Sequence, residues 1–409
     1  KYSDHMAESY DRLTASTSSR SQRYDGQSLE FSADESVIPD RSWAKMPEAH
    51  ATWLTAGQLM VADVVGVGVL TMSSAMSSLG WVLGIVCILL FFPLNLYTGL
   101  LLWRVKLLYP RSVTYLDMAK YTTNRRFGQF CGFVVYAHIF LTLGDYILVL
   151  GQSLAWVFFD VYWCLPVWTV VGCLCLLPFN QLRLLNDVRW LCWVNMASIS
   201  LTILIALGYM LSEGVGSTMG PGDKTEVFPA KLDLLSFSSA LAKLGFAYAG
   251  QFLYLEIMSE MRSQQDFPKA FYLAGPYQVG MYMLVATVGY YHQGNQENRQ
   301  SGLLLEVLPF SPTLRLASFS LFVHMIITYL VKSSVMCRAL HLRWDPQNAN
   351  SNSLTGKLQW FCITSVVMVL CWVVANLVPF FESLTGLIGA SLVPVAGWNI
   401  PIIFYVSAK

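Results

Sequence analysis

Ionisable side chains interrupt several long apolar runs of this 409-residue sequence, namely Asp63, Asp145, Lys243, Glu256 and His324. A charge at the centre of a membrane costs at least about 2.5–3.5 kcal/mol on insertion scales, so such groups usually face a cavity or a partner. Asp63 lies three residues before Gly66, and Lys243 lies two residues before Gly245. Buried carboxyl groups and imidazoles can also relay protons near neutral pH. These residue types indicate ion pairing and proton exchange beside a polar cavity.

The two glycine pairs determine where these charges would lie. Gly66 and Gly68 occupy the middle of one apolar run, and Gly245 and Gly250 occupy another. A glycine weakens a helix by about 1 kcal/mol. In lipid, freed backbone groups are tolerated only where they line a cavity or pack on protein. We therefore predict two helices that are broken near their centres, while close helix packing at unbroken glycines remains the alternative.

The composition predicts an all-α polytopic membrane protein. The sequence is 55% hydrophobic and 12% charged, whereas soluble domains carry about 25% charged residues. Its mean hydropathy is +0.49, and a run of about 20 apolar residues spans a bilayer as a helix. About ten transmembrane helices are predicted, at residues 57–76, 79–103, 130–158, 163–179, 190–211, 234–258, 271–291, 314–339, 359–380 and 384–406.

The domain organisation follows from the composition outside these runs. Residues 1–50 are rich in Ser, Asp, Arg and Tyr, which predicts a disordered cytoplasmic tail. A glycine-rich loop at about 212–232 separates five segments from five. We predict one transmembrane domain over 53–406, with a first five-helix repeat at 53–212 and a second at 233–406. Because the sequence begins with Lys and ends just after an apolar run, we expect a trimmed chain.

Loop charge predicts that the N-terminus is cytoplasmic, since Lys and Arg are enriched in cytoplasmic loops. With that orientation, the cytoplasmic loops and helix ends carry Arg104, Lys106, Arg111, Lys120, Arg125, Arg126, Arg183, Arg189, Arg262, Lys269, Lys332, Arg338, Arg343 and Lys357. The opposite loops carry only Lys224, Lys231, Arg299 and Arg315.

The positions of the two predicted breaks indicate a function. Each lies in the first helix of a five-segment half, and interrupted helices at corresponding positions point to a transporter binding site. We expect Asp63 and Lys243 to pair across this site, with Lys243 snorkelling to the membrane interface as the alternative. For His324 the alternative is a hydrogen-bonded packing residue, and for Glu256 it is an anchor at a helix end.

Other functional classes lack their signatures. The sequence contains no HExxH or GxSxG motif, no CxxC pair with metal spacing and no basic low-complexity arm. It also contains no selectivity-filter motif of a channel. We therefore expect no enzyme, no metal site, no cofactor and no nucleic-acid partner.

At the broken-helix residues, the sequence resembles the amino acid/auxin permease family. GVGVLTMSSA at 66–75 and Leu-Gly-Trp at 79–81 match the family's first-helix pattern. FAYAG at 246–250 with Leu-Glu-Ile at 255–257, FPKA at 267–270 and FVHMIITYLV at 322–331 also resemble members. The likeness runs from about residue 53 to 406.

This resemblance implies a LeuT-like fold of two inverted five-helix repeats with broken first and sixth helices. An eleventh helix of the family is missing from the sequence. The implied function is secondary active transport of amino acids by alternating access, driven by protons at the plasma membrane or a vacuolar or lysosomal membrane. Sodium-coupled members carry an asparagine where this chain has Ala62, which makes Na⁺ the less favoured ion. A transporter-like amino acid sensor and a carrier of auxin-like or amino-acid-derived compounds remain alternatives.

The substrate site follows from the two breaks. A helix N-terminus favours an anion, so the substrate carboxylate is expected at the first break, formed by Gly66, Val67, Gly68, Val69 and Leu70. The substrate ammonium is expected at unwound carbonyl groups of Phe246, Ala247 and Tyr248. The candidates for the side-chain pocket are Tyr146, Phe246, Tyr248 and His324. Coupling or gating is assigned to Asp63, Lys243, Asp145 and Glu256.

Overall fold

The structure is a computed structural model that describes residues 51–183, 190–213, 224–229, 233–295, 303–349, 351, 353–378 and 381–409. The tail predicted at residues 1–50 lies outside the described residues. So do three of the loop charges, Arg189, Lys231 and Arg299. The described chain is helical, as predicted, apart from short connections and one isolated backbone bridge.

The first half of the chain begins with α1 (Trp53–Val64), a 3₁₀ helix (Val67–Thr71) and α2 (Met72–Leu108). It continues with α3 (Tyr115–Thr122), α4 (Arg125–Val157), α5 (Leu165–Phe179) and α6 (Leu191–Glu213).

The second half begins with α7 (Leu234–Tyr248), α8 (Gln251–Glu260), α9 (Phe267–Gln293) and α10 (Pro312–Trp344). It ends with α11 (Leu354–Leu377), α12 (Phe381–Val393) and α13 (Ile400–Ser407), and the π-helical turn Pro394–Asn399 joins the last two. Short helical turns occupy Gln264–Asp266, Leu304–Val307 and Pro346–Ala349.

All ten predicted segments fall on helices. Among the described residues, six helical stretches are long and apolar enough to cross a membrane: Val67–Leu108, Arg125–Val157, Leu191–Glu213, Pro312–Trp344, Leu354–Leu377 and Ser383–Ser407. The broken helices do not reach this length because their halves α1, α7 and α8 contain 12, 15 and 10 residues.

Two structural details were not predicted. The first and second segments are fused in α2, which turns at Gly80 with a left-handed φ of 71°. A Cβ on this glycine would lie 3.0 Å from the carbonyl oxygen of Glu226. Both the positive φ and this close approach therefore require glycine at the turn. The short helix α3 begins with a capping box between Thr114 and Asp117 and was not predicted because it is not an apolar run.

Side-chain caps explain where several of the long helices begin. Thr52 accepts a hydrogen bond from the Thr55 amide at 3.3 Å, and Asn124 accepts one from the Phe127 amide at 2.8 Å. Such caps satisfy amides that have no intrahelical partner, and each is worth about 1 kcal/mol.

The helices pack so that the two broken helices lie inside the bundle. Helix α4 packs against α10, α5 and α11, and α9 packs against α1 and α2. Helices α4 and α10 are the most buried of the six long spans. The central positions of the broken helices therefore face protein, where unpaired backbone groups can be accommodated.

The two ends of the bundle are held by different contacts. At one end, which we call the Gly80 end, the Trp81 amide donates to the carbonyl of Glu226 at 3.0 Å. At the other, which we call the Ala51 end, the Ala51 amide donates to the Glu260 carbonyl and the Arg262 amide donates to the Ala51 carbonyl, both at 2.9 Å. Backbone pairing therefore closes the Ala51 end between the start of α1 and the end of α8.

Two of the charges assigned to loops or helix ends lie inside the protein. Lys332 is 4% exposed in the middle of α10. Lys106 is fully buried near the end of α2, where its ammonium donates to the Ser259 hydroxyl at 2.8 Å and to the carbonyl of Ser112. Sequence hydropathy could not distinguish these lysines from surface charges, because each stands where an apolar run gives way to polar residues.

Candidate functional site

The first break lies where it was predicted. Helix α1 ends at Val64, and Val65 and Gly66 have non-helical backbone angles. A 3₁₀ helix then begins at Val67, and the Val69 amide donates to the carbonyl of Gly66 at 3.2 Å. Because the first amides of a helix have no intrahelical partner, those of Val67 and Gly68 are the groups that this break makes available.

The second break lies at the C-terminal end of the predicted interval, which was Gly245–Gly250. Helix α7 continues through Gly245 and ends at Tyr248, and the non-helical residues are Ala249 and Gly250. Phe246, Ala247 and Tyr248 are therefore in the last helical turn, not unwound. The Phe246 carbonyl accepts from the Ala249 amide at 3.2 Å. The Ala247 and Tyr248 carbonyls lie at the same helix C-terminus, where the last carbonyls lack the usual intrahelical partner.

The two breaks are in direct contact. A Cβ on Gly68 would lie 2.7 Å from the Cα and 2.9 Å from the Cβ of Ala247. The Tyr282 hydroxyl of α9 lies 2.9 Å from the carbonyl oxygen of Val64 and also hydrogen-bonds the Ala247 carbonyl. Because a hydroxyl has a single hydrogen to donate, Tyr282 shares it between the ends of α1 and α7.

A small cavity lies at this contact. Its volume is about 10 Å³, which is about the space that one water molecule needs. Its walls combine backbone at both breaks with polar side chains from α4 and α10. The lining residues are Asp63, Val64, Gly66, Val67, Gly68, His138, Thr142, Tyr146, Phe246, Ala247, Ala249 and Lys332.

A buried ion pair forms one side of the cavity. The Lys332 ammonium of α10 donates to Oδ1 of Asp63, and the two side chains are 5% and 1% exposed. Oδ2 of Asp63 is buried without a hydrogen-bond partner in the described chain. Each charge offsets the desolvation cost of the other, which is several kcal/mol per ion.

The predicted pairing of Asp63 with Lys243 is therefore corrected. Lys243 donates to the Ser74 hydroxyl at 2.8 Å and links α7 to the first residues of α2 instead. The physical reason is helix geometry, because Asp63 precedes the first break whereas Ser74 follows it. Lys332, from a helix with no predicted role in charge pairing, reaches Asp63 from the side.

Tyr146 lies at the cavity as was predicted from the sequence. Its hydroxyl would be 3.6 Å from a Cβ on Gly66, and the Lys332 ammonium lies 5.9 Å from its ring centroid. Phe246 and Ala247 also line the cavity.

Other residues predicted for the substrate site lie outside the cavity wall. The Tyr248 hydroxyl donates to the carbonyl of Ile88 at 2.9 Å. His324 is fully buried behind the wall, where its Nδ1 is 3.3 Å from the carbonyl oxygen of Asn195. Val69 and Leu70 are buried in the 3₁₀ helix and do not line the cavity.

The two further carboxyl groups also lie away from the cavity wall. Asp145 is fully buried on α4, and neither of its oxygens has a hydrogen-bond partner in the part of the chain that is described. Glu256 lies on α8, and its Oε2 is likewise buried without a described partner. The ionised form of such a group is costly, so both are candidates for a neutral carboxyl group.

The sequence analysis missed four polar residues at or beside the site: His138, Thr142, Tyr282 and Asn195. Asn195 of α6 donates to the carbonyl of Ala62 at 3.2 Å and accepts from the Thr328 hydroxyl at 3.2 Å. The available signal was a polar residue inside an apolar run, but the sequence contains many such residues and only packing selects those that face the break.

The profile of the family described as "Transmembrane amino acid transporter protein" matches residues 49–409. The N amino acid transport system protein of Neurospora crassa is 23% identical over 88% of this chain and 79% of its own length. Amino acid permease 1 of Arabidopsis thaliana is 26% identical over 83% of this chain and 78% of its own length.

Among solved structures, the crystal structure of MhsT in complex with L-phenylalanine superposes with a TM-score of 0.60 at 13% identity. The match covers 88% of this chain and 96% of that chain, and it confirms the predicted LeuT-like fold. These matches identify a multi-pass membrane protein of transporter type and not an enzyme. The chain belongs to the transmembrane amino acid transporter family.

Proposed function

We propose that the protein is a secondary active transporter of amino acids that couples uptake to protons by alternating access. The observation that carries this proposal is the contact of two broken helices at one polar cavity, with Gly68 against Ala247. Breaks at corresponding positions of two halves are where transporters of this type bind their substrates.

The two sides of the cavity suit the two ends of an amino acid. The unpaired amides of Val67 and Gly68 begin a helical turn, and the partial positive charge there favours the substrate carboxylate. The carbonyls of Phe246 and Ala247 end a helix, and their partial negative charge favours the ammonium. MhsT was crystallised with an amino acid, which supports the same class of ligand for this chain.

The pair of Asp63 and Lys332 is the proposed coupling site. A proton that enters Oδ2 of Asp63 neutralises the carboxylate and releases Lys332, so protonation changes the contact between α1 and α10. Lys332 already supplies the positive charge that this carboxylate requires, which favours protons over Na⁺ as the driving ion. Asp145 and Glu256 are assigned a secondary role as proton-accepting groups.

The described conformation is too tight for an amino acid, because its cavity has a volume of about 10 Å³. Substrate binding therefore requires the halves of the broken helices to separate at one end of the bundle. Alternating access would open the Ala51 end by parting Ala51 from Arg262 and the Gly80 end by moving Ser74 from Lys243. With the N-terminus cytoplasmic, the Ala51 end faces the cytosol of a plasma membrane or of a vacuolar or lysosomal membrane.

The test is uptake of labelled amino acids by proteoliposomes that contain the full chain. We expect accumulation above equilibrium with an imposed proton gradient and none with a Na⁺ gradient alone. Saturable binding without accumulation would replace the transporter by a sensor, and accumulation driven by Na⁺ would overturn proton coupling. A panel of amino acids and of auxin-like compounds in the same assay identifies the substrate.

A further inference from the structure

His138 is a buried histidine in the cavity wall that the proposed coupling does not use. It lies on α4 and is 2% exposed. Its ring stacks on that of Phe252 in α8, with centroids 3.6 Å apart and an angle of 14° between the planes. Two helices therefore fix the orientation of this imidazole at the cavity.

The ring is held by stacking, and its Nδ1 has no hydrogen-bond partner in the described chain although it is buried. The neighbouring hydroxyl of Thr142 donates to the backbone carbonyl of His138. Most buried polar side-chain atoms in proteins have a partner, so an exception at a cavity points to a ligand. Oδ2 of Asp63 is a second unpartnered atom, and its side chain lines the same cavity.

The charges of the cavity limit what that ligand group can be. Asp63 and Lys332 offset each other, and the remaining polar side chains of the wall are His138 and the hydroxyl residues Thr142 and Tyr146. A charged substrate side chain would lack a counter-charge here. An uncharged amide or hydroxyl can both donate to and accept from a neutral imidazole.

We infer that His138 is a specificity-determining residue that selects amino acids with uncharged, hydrogen-bonding side chains. This inference rests on the proposed function, because it names the substrate class of that same site. A site built to hydrogen-bond a substrate group rejects an analogue of equal size that lacks it, since the polar atom of the site is then left unpaired.

The test compares isosteric competitors in the proteoliposome assay. Inhibition constants are measured for asparagine against leucine and for threonine against valine, with aspartate and lysine as charged competitors. We expect the polar member of each pair to bind at least about tenfold more tightly, which corresponds to 1.4 kcal/mol. Both charged amino acids are expected to compete weakly.

Three variants test whether the side chain of His138 is responsible for this preference. His138→Phe keeps the stacking on Phe252 but loses the hydrogen bond. The ratios of inhibition constants for asparagine against leucine and for threonine against valine are then expected to lie within about twofold of one. His138→Gln restores a polar group and is expected to recover part of the preference. His341→Phe is the matched control, because His341 is buried outside the cavity and bonds Gln359 at 3.1 Å.

The outcomes separate this inference from the proposed function. Accumulation with a wild-type preference for leucine and valine overturns the inference and leaves the transporter proposal standing, whether or not the variants fold. If the ratios of inhibition constants are unchanged in His138→Phe, the inference is likewise overturned and the transporter proposal still stands. If no amino acid is bound or accumulated, the proposed function fails, and the inference fails with it.

Discussion

Each of the two broken helices is interrupted over two residues, and the side chains around the two breaks differ. At the first break, Asp63 and Lys332 place a buried ion pair beside Gly66. Oδ2 of Asp63 and Nδ1 of the neighbouring His138 have no hydrogen-bond partner in the described chain. This break carries charge and unsatisfied hydrogen-bonding capacity.

The second break has no ion pair among the described residues, and the side chain of Gln251 beside it is fully hydrogen-bonded. Gln251 donates to Thr98 at 3.0 Å and to the amide oxygen of Asn95, and its own Oε1 accepts from the Gly250 amide at 3.2 Å. The Tyr115 hydroxyl donates to the Gln251 carbonyl at 3.1 Å. The ion coupling proposed above therefore concerns the first break, and for the second break we propose the role of a fixed hinge.

The largest expected effect is at the charged break. Asp63→Asn or Lys332→Met leaves one buried charge uncompensated and should lower the free energy of unfolding by about 3–5 kcal/mol. The double variant Asp63→Asn/Lys332→Met has no charge to compensate and should recover most of that stability. Thermal unfolding in detergent measures both effects.

The same double variant tests coupling. It should be folded and yet lose the acceleration of uptake by a proton gradient. A folded double variant that keeps proton-driven accumulation would contradict the assignment of coupling to the first break.

A smaller effect is expected where the breaks touch. Gly68→Ala places a methyl group against the backbone of Ala247, and overpacking of this kind costs about 1–3 kcal/mol. If this cost falls on the transporting conformation, uptake should fall by about 5- to 150-fold, because each 1.4 kcal/mol is a factor of ten. Gly280→Ala is the matched control, since no atom lies within 4 Å of its added Cβ.

The neutral break should respond in stability and not in coupling. Gln251→Ala removes the hydrogen bonds to Asn95 and Thr98 and leaves buried groups unpaired, which costs about 1–3 kcal/mol. The melting temperature should fall while the pH dependence of uptake, normalised to its maximum, stays that of the wild type. A shifted pH profile would show that the second break also takes part in coupling.

The smallest effect distinguishes Lys243 from Lys332 as the partner of Asp63. In a double-mutant cycle for stability, Asp63 and Lys243 should be additive within about 0.3–0.5 kcal/mol, because Asp63 bonds Lys332 whereas Lys243 bonds Ser74. Asp63 and Lys332 should couple strongly. Coupling between Asp63 and Lys243 during transport would restore the pairing that the sequence suggested.

The sequence was sufficient to predict the apolar helices and the existence of both breaks, but not the short polar helix α3. Apolar runs determine which residues can span a membrane, and the glycines lower the local cost of leaving the helix. The exact position of the second break could not be read in this way, because Gly245 is accommodated within α7 and the chain leaves the helix at Ala249.

The partners of the charged residues could not be predicted, because they also depend on how the helices pack. Asp63 and Lys332 are 269 residues apart, and which lysine reaches Asp63 depends on how α10 packs against α1. His138 carried only a weak signal, since a histidine within an apolar run is equally compatible with a packing position. Their proximity is a property of the folded bundle.

The backbone bridge at Ala51 has a mechanical consequence. It joins the start of α1 to the end of α8, and the opposite ends of these two half-helices flank the cavity. These two half-helices are therefore joined at their ends away from the cavity. Movement at the Ala51 end requires either that the backbone bridge breaks or that α1 and α8 move together. In the proposed alternating access, the distance between residues 51 and 262 distinguishes these two motions. Spin labels at these positions would report a larger distance if the bridge breaks and an unchanged distance if α1 and α8 move together.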